Sequence, residues 1–387
     1  MKSIEGGWPV EAKYESTMPG KEYYDWNVFY HELNKIWFKT WLCVGREEEI
    51  PKVGDYITVQ IAHENFIITK GNNGVINGYY NVCRHRGSRL CTASSGHFSR
   101  GNIICPYHSW MYSADTGKLI KAPNVPENDE GFHKEEHGLI GVKVETWDGF
   151  IWLNVDENAP SLKASFHLPA SWSIYEKYEM HRLKLAEKRT YTVKANWKLL
   201  MENAEECYHC PNIHPELSRT TPPNQPRNWI DKNIPDTKVV KHVGAMKLKD
   251  GYDRVNLDGN AYRPAFPKLS EEDKRYIYYL HLFPHSYICL ASDYIFIAAM
   301  FPVAPDETVV NGYWLFDPDV LQKEGHYIQD AVDFWHITSE QDWEASEWVQ
   351  LGNQSKAYEN GGILTKLDWR VANFKKYVQI ELSETDH

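Results

Sequence analysis

The sequence predicts an α+β protein built from an all-β module followed by a larger domain in which an antiparallel sheet is flanked by helices. Three observations carry this. Short alternating apolar runs, separated by Gly and Pro turns, fill the region after Trp41. A second group of aromatic-rich runs lies between Tyr276 and Phe316. Helical spacing of apolar residues is confined to Tyr23–Thr40, the segment around His209, and Leu321–Leu351.

In chain order, a polar lead precedes Phe29, Leu33, Ile36 and Trp37, whose three- and four-residue spacing predicts an amphipathic helix. WLCVGR, DYITVQI, ENFIITK and GVINGYYNVC then read as strands, with a turn at Gly71-Asn72-Asn73-Gly74. LIGVKVETW and GFIWLNV close the module through an Asp148-Gly149 hairpin turn. A polar linker, Asp156 to Leu162, follows. The predicted domains are 1–40 (a helical segment packing on the larger domain), 41–156 and 157–387.

In the second half Arg182 to Lys194 alternates as a strand and leads into NWKLLMENAEECYHCPNIH. Pro215 to Lys268 is rich in Pro, Asn and Lys and reads as long surface loops. Tyr276–Phe283, Tyr287–Ser292, Tyr294–Phe301 and Val309–Phe316 form the antiparallel sheet, and Leu321–Leu351 a long helix.

The chain has 387 residues, 42% of them hydrophobic, ample for two or three cores. A net charge of −11 without Lys/Arg blocks argues against nucleic acid and anionic membrane surfaces. No signal-type or membrane-spanning apolar run is found, so a cytoplasmic location is expected. Seven cysteines, an odd number, argue against a disulfide framework and for metal or cluster ligation by some of them. Cys207 and Cys210 are read as packed thiols.

Two constellations carry chemistry. In the all-β module, NVCRHRGSRLC and CPYHSW give Cys83-x-His85 and Cys105-x-x-His108. Two such pairs can hold one Zn2+, or a [2Fe-2S] cluster with two thiolates on one iron and two imidazoles on the other. Each loop offers one Cys and one His, which favours the cluster. In the second half His209 and His214 lie five apart, too far for one face of a straight helix, with Pro211 between them to bend the chain. A helix through roughly Trp197 to Tyr208, breaking near Pro211, would let the two imidazoles converge. With a carboxylate they would make the two-His, one-carboxylate set of non-heme Fe(II) sites.

C-R-H-R-G, C-P-Y-H-x-W, N-W-K and E-C-Y-H-C-P-x-x-H-P, in this order, resemble the catalytic subunit of Rieske non-heme iron oxygenases from about Trp41 to Gly352. The resemblance implies an all-β Rieske domain and a catalytic domain with an antiparallel sheet, assembled as a homotrimer in which electrons pass between neighbouring subunits. It assigns Cys83, His85, Cys105 and His108 to the cluster, and His209 and His214 to iron. Asp342 completes the set: it falls on the apolar face of Ile328, Ala331, Val332, Trp335, Ala345 and Val349, where an unpaired carboxylate is costly. It also precedes Gln350-x-Gly352 at the family spacing. Glu206, three residues before His209, takes the position of an acid that joins an iron-bound His to a cluster-bound His of the neighbour, here His108; Glu205 is the rival. Most ring-hydroxylating members carry Asp there. Asn203 is a further candidate catalytic residue. Ser109 stands where Gly or Ala is usual.

The motif E-C-Y-H-C-P-x-x-H-P-E-L is similar to the branch acting on quaternary ammonium compounds such as glycine betaine, proline betaine or carnitine. This implies O2-dependent hydroxylation of an N-methyl group, release of formaldehyde, and electrons from a separate flavin and iron-sulfur reductase that uses NAD(P)H. Tyr278, Tyr279, Tyr294 and Phe296 are candidate cation-binding aromatics. An aromatic-ring dioxygenase and a pure Rieske-type electron carrier are the alternatives.

Overall fold

The computed structural model describes residues 13–126, 130–166, 170–221, 229–233, 239–323 and 327–383. Most of the polar lead, and parts of the Pro- and Asn-rich stretch after Thr221, lie outside them. The chain divides into two compact units: Phe38–Leu162, and Met1–Trp37 together with Lys163–His387.

The smaller unit is built on a seven-stranded antiparallel sheet. Its order is Leu42–Arg46, Phe150–Asn154, Gly141–Trp147, Ile76–Tyr80, Glu64–Lys70, Asp55–Ile61 and Ser95–His97. Asp148 and Gly149, both at positive φ, make the predicted tight turn between Gly141–Trp147 and Phe150–Asn154. A three-stranded sheet, Asn102–Ile104, Met111–Ser113 and Leu119–Lys121, carries the CPYHSW loop between its first two strands. Tyr79, Ile103, Tyr112 and Leu119 share one apolar core with Cys83 and Cys105.

The larger unit has its own seven-stranded antiparallel sheet, ordered Lys184–Val193, Glu307–Phe316, Ile295–Ala304, Ser286–Leu290, Tyr276–Leu282, Val240–Lys247 and Trp229–Asn233. Five strands fall where the alternation predicts them. The last two replace part of the expected surface loop, which also contains the helix Pro215–Thr220. Val240–Lys247 is buried at seven of eight positions, so it shows no alternation from which a strand could be read.

The helices depart from their expected limits in three places. Tyr23–Thr40 starts at the last residue of a 3-10 turn, Gly20–Tyr23, and continues as an α-helix over Trp26–Glu32 and a π-turn over Leu33–Trp37. The extra residue of the π-turn puts Leu33, Ile36 and Trp37 all in the core. The long helix is Gln329–Asn353, preceded by the separate short helix Pro318–Gln322. Its buried stripe is more polar than expected: Thr338, Ser339, Ser346 and Gln350 are buried with Asp342, whereas Val349 is 49% exposed. The C-terminal helix Trp369–Ser383, in a segment where the sequence signals are weaker, packs Val371, Phe374 and Val378 inward.

The N-W-K motif ties this unit together. The Asn196 side chain caps the helix Trp197–Ala204 by accepting from Lys198 N at 3.0 Å, and the Asn196 backbone N–H donates to Gln350 Oε1 at 3.0 Å. Trp197 Nε1 and Lys198 Nζ both donate to Glu32, at 2.8 and 2.5 Å. Glu32 and Lys198 are 1% and 0% exposed, so losing either partner leaves a buried unpaired charge, a cost of about 3–5 kcal/mol.

Candidate metal centres

The two Cys-His loops of the smaller unit share one construction. Cys83 N donates to Ser88 O at 2.8 Å, and Gly87 N to Cys83 O at 3.1 Å. Cys105 N donates to Trp110 O at 2.8 Å, and Ser109 N to Cys105 O at 3.1 Å. The fourth residue after each Cys has positive φ, +69° at Gly87 and +58° at Ser109. That explains why Gly suits the second loop as well; Ser there costs about 1 kcal/mol.

The loops bury their sulfurs and present their imidazoles. Cys83 and Cys105 are 2% and 1% exposed, whereas His85 is exposed and His108 half-buried. His85 and His108 lie 4.7 Å apart between ring centroids, and His85 stacks on Trp110 at 4.9 Å. Tyr112 Oη lies 3.1 Å from Cys83 Sγ and accepts from Arg84 N at 3.1 Å. Burial raises the Cys83 thiol; at Cys105 burial is outweighed by the backbone amides of Tyr107 and His108, which lower it. His108 Nδ1 is buried without a hydrogen-bond partner. Two core-side thiols and an orphaned imidazole nitrogen suit a cluster whose histidine edge faces outward.

In the larger unit the helix from Trp197 ends at Ala204, short of the expected Tyr208. A turn follows, and a short helix, Cys210–Ile213, begins with His209 as its N-cap. Pro211 sits in the first turn of this helix, where a missing N–H costs nothing, so it starts a helix instead of breaking one. The turn folds Cys207 beside Cys210, with Cα atoms 4.9 Å apart, and the pair is joined as a disulfide; the two are not the separate packed thiols expected.

The turn also aims both imidazoles at one point. His209 Nε2 and His214 Nε2 are 3.1 Å apart, and Asp342 Oδ1, from the long helix, lies 3.2 and 2.8 Å from them. Burial raises Asp342, but the two imidazoles outweigh it and hold the carboxyl at about 2. Burial likewise opposes charge on His209, yet Asp342 and Glu206 push it up to about 10. Three donors about 3 Å apart, from two imidazoles and one carboxylate, fit one face of an octahedral Fe(II) site.

Each imidazole is oriented through its other nitrogen. Glu206 Oε1 lies 2.5 Å from His209 Nδ1, while Oε2 accepts from the backbone N–H groups of Tyr208 and His209. Gln341 Oε1 lies 2.8 Å from His214 Nδ1, and Gln341 Nε2 donates to Glu216 at 3.2 Å. Such partners fix tautomer and ring plane. The sequence reading missed Gln341, although its place next to Asp342 was the available signal. Glu205, the rival to Glu206, faces His242 and His281 instead.

The triad lines a cavity of about 570 Å³ including its mouth. Asn203 and Glu206 reach its wall, and so do Tyr279, Tyr287 and Trp335. Of the four aromatics expected there, only Tyr279 is among the lining residues. Tyr294 is instead buried with its hydroxyl on Val255 O and Trp335 Nε1, and Phe296 stacks on Trp335 at 4.9 Å.

A two-His, one-carboxylate centre on an antiparallel-sheet domain, in one chain with a β-domain bearing paired Cys-His loops, defines a Rieske-type non-heme iron oxygenase. Residues 180–384 match the family model described as ring hydroxylating alpha subunit (catalytic domain), and residues 40–146 the Rieske [2Fe-2S] domain. The chain belongs to this family of oxidoreductases, whose cofactors are a [2Fe-2S] cluster and a mononuclear iron. It is 30% identical over 384 residues to the glycine betaine monooxygenase oxygenase subunit of Pseudomonas aeruginosa, covering 91% of this chain and 88% of that protein. It is 37% identical over 203 residues to the carnitine monooxygenase oxygenase subunit of Escherichia coli, about half of each. A solved quaternary ammonium Rieske monooxygenase superposes with a TM-score of 0.76 at 25% identity over 97% of each chain. Naphthalene 1,2-dioxygenase from Rhodococcus, at 19% identity and TM-score 0.75, shares the fold. Among the described residues no helix is long and apolar enough to cross a membrane.

Proposed function

We propose that this chain is the terminal oxygenase component of a monooxygenase that hydroxylates an N-methyl group of a quaternary ammonium compound, which then loses formaldehyde. The observation that carries it is the convergence of His209, His214 and Asp342 in a cavity walled by Tyr279, Tyr287 and Trp335. Aromatic faces attract a methylated ammonium that can take no hydrogen bond, each contributing about 0.5–2 kcal/mol. The full-length similarity to glycine betaine monooxygenase subunits supports the same substrate class.

Cys83, His85, Cys105 and His108 hold the cluster; His209, His214 and Asp342 hold the iron. Iron so held, with open positions, supplies O2 activation, and the cluster supplies an electron. Glu206 and Gln341 keep His209 and His214 in the tautomer whose Nε2 faces the metal. Glu206 Oε2 is filled by the amides of Tyr208 and His209, whereas Oε1, which takes His209 Nδ1–H, keeps one lone pair to receive His108 of the partner subunit in a homotrimer. Asn203, on the cavity wall, is placed to meet substrate. A separate NAD(P)H-dependent flavin and iron-sulfur reductase delivers the electrons.

The test is a product screen of glycine betaine, proline betaine, carnitine and aromatic acids with NADH and a surrogate reductase. Formaldehyde and a demethylated amine are expected. Aromatic diols, or no turnover of any quaternary ammonium compound, would refute the assignment.

A further inference from the structure

The larger unit contains a second carboxylate and pair of imidazoles that the iron triad does not use. Glu205 ends the helix Trp197–Ala204, and its side chain meets His242 and His281, which are directly opposed on the adjacent strands Val240–Lys247 and Tyr276–Leu282. The three are only 4%, 5% and 5% exposed. Glu205 Oε1 lies 3.3 Å from His281 Nδ1, and Oε2 3.4 Å from His242 Nδ1. One donor atom from each residue lies within 4.8 Å of the others. Glu205 Oε2 and His281 Nδ1 are buried and make no hydrogen bond among the described residues. A buried carboxylate set 3.3–3.4 Å from two buried imidazoles makes only long contacts with them, so a further charge among the three would lower the cost of burying them.

The three donor atoms, all within 4.8 Å of one another, are close enough for one ion with donors about 2.0–2.1 Å away to be reached by all three. Burial would raise Glu205, but His281 and His242 outweigh it and hold the carboxyl far below its usual range. Burial keeps His281 below its own. His242 and His281 line the same cavity as the triad.

We infer that Glu205, His242 and His281 form a second metal site, for Zn2+, in the wall of the iron cavity. A carboxylate offering both oxygens and two imidazoles is a zinc donor set, and such donors bind Zn2+ more tightly than Fe2+. The ion ties the end of the helix that precedes Glu206 to two neighbouring strands, and so holds the Glu206–His209 turn in place.

The experiment is metal analysis of the holoenzyme after equilibration with Zn2+ and desalting, with Asp342→Ala as the background because it removes the iron site that zinc could otherwise enter. The expected result is one Zn2+ per chain in wild type and in Asp342→Ala, lost when Glu205→Gln or His281→Gln is added while acid-labile sulfide stays at two per chain. Zinc K-edge absorption of Asp342→Ala protein should show a shell of two imidazoles and carboxylate oxygen. Absence of Zn2+ from Asp342→Ala protein, a sulfur shell, or zinc unchanged in both added variants overturns the site. None of these results bears on whether a quaternary ammonium compound is the substrate.

Discussion

The proposed cluster loops and the proposed iron triad are assembled by opposite uses of the chain. All four cluster donors lie between Cys83 and His108, on two turns whose backbone hydrogen bonds close within a few residues. The iron donors join a turn after Trp197–Ala204 to a helix residue 128 positions beyond His214. The first site is local, with its imidazoles outward; the second is assembled by the tertiary fold, with His214 1% exposed. Local sites survive distant damage, and assembled ones depend on the scaffold around them.

The largest effects test whether the two sites are independent. Cys83→Ser should abolish the cluster absorbance and the reduced EPR signal yet leave mononuclear iron at one per chain. Asp342→Ala should do the reverse, losing that iron with the cluster intact. Both should lower turnover to the background of the reductase alone. Loss of both metals in either variant would show that the sites fold as one.

Glu206→Gln comes next. It should leave both metals bound but slow turnover by about 100-fold, because an amide cannot accept with the strength of a carboxylate from His209 Nδ1–H. If single-turnover reduction of the cluster is normal while its electron fails to reach the iron, the defect lies in the bridge. Unchanged turnover removes Glu206 from that role. Gln341→Leu, which frees only the His214 side, should weaken iron binding by about 10-fold, read by chelator competition, without touching the cluster.

The same contrast explains what could be read in advance. The cluster loops were legible because ligand type, spacing and the Gly87 turn all sit in one short stretch. Five strands of the catalytic sheet were legible from their apolar runs and turns. Val240–Lys247 was not, because a strand buried on both faces loses its period of two, and its neighbours Pro215–Lys268 look like loop by composition. His209 and His214 were legible as residues but not as geometry, since the helix stop at Ala204 comes from the turn that follows it and not from Pro211. Tyr287 and Trp335 enter the site through tertiary packing alone, and Gln341 was signalled only by its place beside Asp342.

The smallest expected effect concerns the scaffold that the assembled site needs. Glu202, one turn before Glu206, accepts from Tyr23 Oη at 2.9 Å. Burial pushes its carboxyl from 4.5 up to about 7, against the opposing pull of Tyr23 and Lys198. Because the folded value exceeds the unfolded one, the folded chain binds this proton more tightly. The associated stability is fully present below about pH 4.5 and is lost as pH rises through 7. Glu202→Gln removes the charge, so the variant should gain about 2 kcal/mol over wild type above pH 7, after discounting for partial exposure, and gain progressively less toward pH 5. Thermal melts of the two proteins between pH 5 and 8.5 measure this. The catalytic unit's transition should separate with rising pH while the loss of cluster absorbance on heating stays superimposed. A gap independent of pH would mean that Glu202 is already ionised in the folded chain and that Lys198 serves it as well as Glu32.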